Sequence, residues 1–263
     1  MSTPNPCGRL YLIPSMIGNC PANYCIPPYN IQIVNRLSHF IVEETSSAYR
    51  TLRHIGFNGS FDNVTLYQLN EHSRPEDITE YLECTKDGHD IGLLSEAGLP
   101  CLADPGAYVV RLAHSKDIQV IPLTGPSSIV SAIISSGMNG QCFAFHGYLP
   151  IKSPQKENKI KSCEKYSAEF HQTQVFIEAP YRNNQLFNTL VSICPALSNE
   201  ANPVNSKFKT PSSEGIFKFI SFKTSDSKTE SIIPPRRASA LDMRTESRPV
   251  CPLFRLNLHH PTE

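Results

Sequence analysis

The stretch 91-IGLLSEAGLPCLADPG-106 decides the fold class of this chain. Its first four residues are apolar and predict a buried strand. The next twelve contain two glycines, two prolines and two acids, a high density of turn-forming residues. Ligands of open α/β sheets lie beyond the carboxyl ends of the strands, so Glu96 stands where a carboxylate can accept hydrogen bonds from ligand hydroxyls or an amine. The alternative is that Glu96 and Asp104 only organise turns, with Asp104 capping the next helix.

Strand-like runs alternate with helical patterns on both sides of this stretch, up to about residue 195. Further strands are predicted at 10–13, 40–42, 64–67, 120–123, 143–145 and 175–177. The clearest helical patterns are 75–86, 127–135 and 183–193. Alternation of this kind predicts an α/β fold with a mostly parallel sheet.

Three other predicted strands end in the same kind of turn. The strand 10–13 ends within the segment 12-LIPSMIGN-19. The strands 120–123 and 175–177 are followed by 124-TGPSSIVSA-132 and 178-EAPYR-182, respectively. Small residues let backbone N–H and C=O groups approach a ligand closely, and a helix start exposes unpaired N–H groups. The sequence therefore predicts a ligand site assembled from several strand ends.

Composition limits the kinds of partner. The 263 residues carry no net formal charge, so any RNA-binding surface must be a local patch. The basic segment 147–166 is predicted to be a loop entering a helix, and its lysines form either a solvated face or an RNA contact. Nine cysteines without a C-x-x-C pair predict reduced thiols in a cytoplasmic protein and no metal site. No signal peptide and no membrane-spanning apolar run are recognised.

The composition changes near residue 198. Residues 201–263 contain fourteen Ser or Thr, seven Pro and one Gly, and strand-like patterns remain only at 215–222 and 253–258. This composition favours disorder or poor packing. The predicted organisation is an N-terminal α/β domain over 1–121, a second α/β domain over 122–197, and an atypical tail over 198–263 that is divergent or read out of frame.

The order of the motifs resembles a known family. The chain is similar to the tetrapyrrole methylase superfamily, and within it to the bacterial ribosomal small-subunit RNA methyltransferase I branch. The matching segments are 12-LIPSMIGN-19, 43-EETSSAYRTL-52, 70-NEHS-73, 94-LSEAGLPCLADPGAYVVRLA-113, 122-PLTGPSSIVSAIISSGM-138, 143-FAFHGYLP-150 and 175-VFIEAPYR-182.

This resemblance implies a two-domain α/β/α fold, a homodimer, and S-adenosylmethionine bound in the cleft between the domains without a Rossmann glycine motif. The implied reaction is methylation of a cytidine ribose 2′-hydroxyl in small-subunit ribosomal RNA. Two alternatives stay open: a methylase of the same fold acting on a tetrapyrrole or another substrate, and a catalytically inactive binding protein. Methyl transfer from a sulfonium needs no metal.

The resemblance also implies roles for individual residues. Glu178 and Arg182 are the catalytic candidates, with Arg182 either holding an RNA phosphate or forming a structural salt bridge. The general base is one of Glu178, Glu96, Glu44 and His72. The cofactor-binding candidates are Pro14, Ile17, Ser95, Glu96, Ala97, Gly98, Ser127, Ser128, Ile129 and Ala179.

Three departures from the family pattern concern the substrate and the second domain. Glu96 stands where the family has Asp, and Glu43-Glu44-Thr45-Ser46 replaces the branch's EDTR, so one basic RNA-contact candidate is missing. No counterpart of the family's ARELTK segment follows Leu197. The second domain is therefore expected to be incomplete or divergent.

Overall fold

The computed structural model describes residues 7–18, 21–70 and 72–193, together with the short segments 206–208, 217–219 and 253–257. The chain forms two compact units. The first contains the residues up to Ser128, and the second begins at Ile129 and includes the three short segments.

The first unit is built on a five-stranded sheet. Its strands are β1 (Leu10–Ile13), β2 (His39–Val42), β3 (Thr65–Gln68), β4 (Ile91–Leu94) and β5 (Val120–Pro122), in the order β3-β2-β4-β1-β5. All four pairings are parallel. The strand β4 lies at the centre and all four of its residues are buried, which explains its continuous apolar sequence. The predicted α/β class with a parallel sheet is confirmed.

Four helices connect these strands: α1 (Pro28–Val34), α2 (Thr45–Ile55), α3 (Pro75–Tyr81) and α4 (Ala107–Ser115). In α2 the side chain of Glu44 caps the first turn, and Gly56, with φ +115°, ends the helix. The helix α3 is shorter than the predicted 75–86. A 3₁₀ turn, Glu83–Asp87, follows it and ends at Gly88, whose φ is +84°.

Alternate residues of the central strands face two separate hydrophobic clusters. In β2, Phe40 belongs to a cluster with Leu52 of α2, whereas Ile41 belongs to one with Val109 of α4. All four side chains are fully buried. Because α1 and α2 supply one cluster and α3 and α4 the other, helices cover both faces of the sheet, as a parallel sheet requires.

The second unit contains the helix α5 (Ser128–Ser135), which begins at the boundary, then β6 (Phe143–Tyr148), α6 (Gln155–Phe170), β7 (Thr173–Glu178) and α7 (Asn183–Ile193). Both strands are longer than predicted. The segment predicted as a loop entering a helix does enter α6, which buries Ile160 and Cys163 against Phe176 and Leu186.

Three short strands complete the described part of this unit: β8 (Ser206–Phe208), β9 (Phe217–Phe219) and β10 (Leu253–Asn257). The strand β10 pairs parallel to β7, giving the order β10-β7-β6, while β8 and β9 pair antiparallel. Both strand-like segments predicted in the tail contain one of these strands. The remaining predictions for 198–263 lie outside the described residues.

Candidate functional site at the strand ends

Three loops of the first unit meet at the carboxyl edge of its sheet. They follow β1, β4 and β5, which are neighbours in the sheet. Ser15 and Gly98 exchange two backbone hydrogen bonds, of 2.8 and 3.1 Å, between the first two loops. The predicted segments around Pro14 and around Glu96 therefore lie against each other, although about 80 residues separate Ser15 from Ser95.

Two buried hydroxyls hold these loops. The Ser15 hydroxyl donates to the Ser95 carbonyl at 2.5 Å, and the Ser95 hydroxyl donates to the Gly98 carbonyl at 3.0 Å. Both serines are nearly inaccessible, with 1% and 3% exposure. Their hydroxyl protons are engaged within the protein, so the contribution of Ser95 is to shape the loop around Gly98.

The third loop is joined to the first by close packing. A Cβ built at Gly125 would lie 2.2 Å from the Cβ of Pro14, which only glycine avoids. Asn30, 2% exposed, donates from Nδ2 to the Thr124 carbonyl at 2.8 Å. These contacts place the buried Ser127 and Ser128 directly after the loop, at the start of α5.

Gly98 leaves a small space at this edge. Its φ of +76° is a conformation that side chains disfavour, and a Cβ there would meet only the Pro126 carbonyl at 3.5 Å and Ile17 at 3.8 Å. This space is bordered by residues of all three loops. Gly98 itself is buried, and its N–H and carbonyl already form hydrogen bonds within the protein, so this residue serves to bring the three loops together.

A group of carboxylates lies at the same sheet edge. Glu43 follows β2, while Glu96 and Asp104 follow the adjacent β4. Glu96 accepts a 2.5 Å hydrogen bond from the Ser47 hydroxyl. Asp104 accepts from the backbone N–H of Cys101 at 2.7 Å and of Gly106 at 3.1 Å, so it organises the turn before α4.

Glu43 is the most perturbed of these acids. Burial, followed by the negative charges of Asp104 and Glu96, raises the pKa of Glu43 to about 7. Burial also raises the pKa of Asp104, against the opposing effect of its two backbone hydrogen bonds. Sequence reasoning missed Glu43 as a candidate. The sequence did contain a signal for it: the strands now seen as β2 and β4 are each followed by a glutamate, and such strands can be neighbours in a parallel sheet.

In the second unit, Glu178 and Arg182 form an ion pair. Arg182 donates from Nε to Glu178 Oε1 at 2.8 Å, and its Nη2 lies 2.6 Å from the same oxygen. The Ala179 backbone N–H also donates to Oε1 at 2.8 Å. Glu178 is 4% exposed and the Arg182 side chain 19% exposed. The salt-bridge alternative for Arg182 is therefore what the structure contains.

Three further predicted residues have local roles within their own units. Glu44 is exposed and accepts the Ser46 backbone N–H at 3.2 Å, as a helix cap does. His72 lies exposed in the turn after β3, where its backbone N–H donates to Asn70. Ile129 packs in the second unit with Val175 and Ile177.

Two searches of the described residues gave negative results. No group of three or more His, Cys, Asp or Glu side chains in the described part of the chain is arranged to hold a metal ion. Of the helices within the described ranges, none combines the length and apolar character needed to cross a membrane.

The first unit is thus an α/β fold whose strand-end loops meet beside a group of carboxylates, at the sheet edge where open α/β proteins bind their ligands. The chain is similar in sequence to the ribosomal RNA small subunit methyltransferase I of Escherichia coli O157:H7, with 28% identity over 192 residues, 73% of this chain and 63% of that protein. The protein of the same name from Vibrio cholerae serotype O1 is 30% identical over 181 residues, 69% of this chain and 59% of that protein. The resemblance predicted from the motifs is confirmed.

The chain thus spans about three fifths of the length of these curated relatives. No family model matches it. Among solved structures, the methyltransferase CobJ superposes with a TM-score of 0.49 and 13% identity, covering 74% of this chain and 77% of that one.

Proposed function

We propose that this protein is an S-adenosylmethionine-dependent methyltransferase that methylates a cytidine ribose 2′-hydroxyl in small-subunit ribosomal RNA. The observation that carries the proposal is the sequence similarity to ribosomal RNA small subunit methyltransferase I. A ribosomal RNA substrate would place the protein in the cytoplasm. The homodimer implied by the family resemblance stays a prediction.

The residues at the edge of the first unit fit the cofactor. Gly98 lies where the three loops meet, and Ile17 adds an apolar side chain beside it. Residues 7–128 contain eight Lys or Arg and thirteen Asp or Glu, an excess of negative charge that suits a ligand carrying a cationic sulfur. The Glu96 carboxylate can accept hydrogen bonds from a ribose or an amine. The first-unit residues proposed to hold the cofactor are Pro14, Ile17, Ser95, Glu96, Ala97, Gly98, Ser127 and Ser128. The roles that the family resemblance implies for Ile129 and Ala179 of the second unit stay predictions.

S-adenosylmethionine, when bound, supplies an electrophilic methyl group. Methylation of a ribose oxygen releases the hydroxyl proton, and we assign its acceptance to a carboxylate oxygen of Glu43. A general base works best when its pKa is near the operating pH, which the value of about 7 for Glu43 satisfies. Asp104 and Glu96 support this by raising the pKa of Glu43 through their charge.

Glu178 is less suited to accept a proton. Its Oε1 atom already receives hydrogen bonds from the Ala179 N–H and from Arg182, so this oxygen is not available to a substrate hydroxyl. The proposed role of Glu178 and Arg182 is to organise the surface at the carboxyl end of β7.

The test is methyl transfer to small ribosomal subunits whose RNA lacks 2′-O-methylcytidine. The purified chain is incubated with methyl-labelled S-adenosylmethionine and subunits, and the RNA nucleosides are separated by mass spectrometry. We expect labelled 2′-O-methylcytidine. Its absence from a sample that binds S-adenosylhomocysteine would refute the RNA substrate, and label in a tetrapyrrole instead would identify the alternative methylase.

Two matched variants test the base. Glu43→Gln removes the proton acceptor and is expected to lower kcat at least tenfold, since general bases contribute typically about 10²–10⁴-fold. Glu44→Gln makes the same change in the neighbouring exposed residue. A large loss with Glu44→Gln and none with Glu43→Gln would assign the base to Glu44.

A further inference from the structure

A cavity of about 590 Å³ opens at the carboxyl end of β6 and β7 in the second unit. Tyr148, the last residue of β6, lines it together with residues 149–151, which follow the strand. Ala179, Tyr181 and Arg182, which follow β7, complete the lining. The volume lies within the range of about 300–1,000 Å³ that small-molecule sites occupy.

Two aromatic rings line this cavity while remaining open to water. Tyr181 is 83% exposed and Tyr148 is 50% exposed, whereas the adjacent Leu149 is 3% exposed. Exposed rings beside a cavity offer flat apolar faces to a ligand. The side chains therefore suit a planar aromatic group better than an aliphatic one.

The sequence places Tyr148 in the cavity by a β-bulge. The register between β6 and β7 shifts between Phe145 and Tyr148, and Gly147 has φ +63° in this irregular stretch. A glycine in the left-handed conformation allows such a bulge, which redirects the following side chain. The Phe-x-Phe-x-Gly-Tyr-Leu-Pro motif thus has a direct structural consequence for this surface.

Arg182 holds the second ring in place. While Nε and Nη2 contact Glu178, Nη1 donates to the Tyr181 hydroxyl at 3.0 Å, and Cζ lies 5.2 Å from the centre of the Tyr181 ring. Three guanidinium nitrogens are thus engaged with Glu178 and Tyr181. An exposed ring anchored in this way loses less conformational freedom when a ligand binds.

The balance of charge differs between residues 129–197 and the first unit. Residues 129–197 contain six Lys or Arg and four Asp or Glu, against eight and thirteen in residues 7–128. The exposed Lys152 follows Ile151 at the rim of the cavity. This difference favours the second unit over the first as the place where the backbone of a polyanion binds.

We propose that this cavity binds an unstacked base of a single-stranded RNA, stacked on Tyr181 and Tyr148, with Arg182 acting as the positioning residue for Tyr181. Single-stranded RNA is recognised through bases stacked on aromatic side chains and an adjacent basic surface. The inference deepens the proposed function and rests on it, because it assigns the place where the RNA substrate meets the second unit.

The test measures RNA binding and cofactor binding on the same full-length variants. Fluorescein-labelled dodecacytidylate is titrated by anisotropy at several potassium chloride concentrations, and S-adenosylhomocysteine by calorimetry. Tyr181→Ala and Tyr148→Ala are each expected to weaken RNA binding about tenfold, because stacking contributes about 1–3 kcal/mol per base. The dependence of log Kd on log salt should not change, because no phosphate contact is lost.

Three further variants distinguish the loss of base stacking from other effects of a substitution on RNA binding. Tyr181→Phe keeps the ring and its contact with the guanidinium but loses the hydroxyl that accepts from Arg182, so it should weaken RNA binding less than Tyr181→Ala and no more than Arg182→Lys. Tyr166→Ala removes a ring of 53% exposure on α6 that does not line the cavity, and should have no effect. Arg182→Lys should weaken binding when Tyr181 is present and add nothing to Tyr181→Ala. The lysine keeps a positive charge beside Glu178, which protects the fold.

The two proposals fail in different ways. The inference would be overturned if Tyr181→Ala and Tyr148→Ala bound RNA as tightly as the control Tyr166→Ala. It would also be overturned if the two cavity variants lost affinity for S-adenosylhomocysteine while their RNA affinity stayed unchanged. Unaltered KM for ribosomal subunits in both tyrosine variants would overturn the inference and leave the methyltransferase proposal intact. RNA binding that depends on Tyr181, in a protein that transfers no methyl group, would support the inference and refute the proposed function.

Discussion

Replacing Glu43 by glutamine should stabilise the first unit more at pH 8 than at pH 5. Burial and the charges of Asp104 and Glu96 raise the pKa of Glu43 to about 7, from 4.5 in a model compound. A raised carboxyl pKa means that the folded state holds the proton more tightly than the unfolded state. The stability that this proton provides is fully present below pH 4.5 and is lost as the pH rises through 7.

The magnitude follows from the shift. Between pH 5 and pH 8 the unmodified protein loses about 2.5 kcal/mol if the full shift is effective, at about 1.36 kcal/mol per pH unit of differential titration. Because the Glu43 carboxyl is only partly buried, solvent screening reduces this to about 1 kcal/mol. Glu43→Gln cannot ionise and avoids this loss.

The assay is thermal unfolding of both proteins at pH 5 and pH 8 at fixed ionic strength. A difference of about 1 kcal/mol corresponds to a Tm difference of about 2–4 °C for a protein of this size. The advantage of Glu43→Gln should therefore grow by about 2–4 °C between the two pH values. Glu80→Gln, a change at an exposed position on α3, serves as the control. An equal Tm difference at both pH values would refute the pKa argument for Glu43.

Three further predictions concern the packing that supports the site. Gly125→Ala places a Cβ 2.2 Å from Pro14 and should lower the free energy of unfolding by about 1–3 kcal/mol, measured by thermal unfolding. Gly140→Ala is the control and should be tolerated, because the nearest neighbour of its Cβ would be 3.8 Å away. Equal Tm values for the two variants would contradict the close packing at Gly125. Asn30→Ala removes the hydrogen bond to the Thr124 carbonyl and should lower the free energy of unfolding in urea by about 1–3 kcal/mol. Asn188→Ala, at an exposed position, is the control and should not lower it. An unchanged free energy of unfolding for Asn30→Ala would show that this bond does not hold the loop. Leu52→Ala should lower the free energy of unfolding by about 2–5 kcal/mol, because the Leu52 side chain is fully buried. Arg50→Ala, at an exposed position, should change it very little. A decrease below about 1 kcal/mol for Leu52→Ala would contradict its place in the core.

The sequence by itself determined the fold class and the loops of the candidate site. The all-apolar β4 followed by Glu96-Ala97-Gly98 could be recognised because central parallel strands are buried on both faces and ligands lie beyond their carboxyl ends. The positions of β1, β4 and α7 were also predictable, since hydrophobic periodicity and turn residues are local properties of the chain.

Only the tertiary structure decided which loops meet and which acids are neighbours. The order β3-β2-β4-β1-β5 puts Glu43 beside the carboxylates that follow β4, and Ser47 against Glu96 across 49 residues of sequence. The order of strands in the sheet cannot be derived from local sequence patterns, because that order depends on how the connecting helices cover both faces of the sheet.

The pairing of Glu178 with Arg182 shows the same distinction at short range. The sequence left Arg182 open between an RNA contact and a structural salt bridge, although the two residues are only four positions apart. The fold buries Glu178 at the end of β7, where the Arg182 guanidinium and the Ala179 N–H stabilise its carboxylate. Burial, which depends on the whole packed unit, is therefore the physical reason that the guanidinium turns toward Glu178 and holds Tyr181 at the surface.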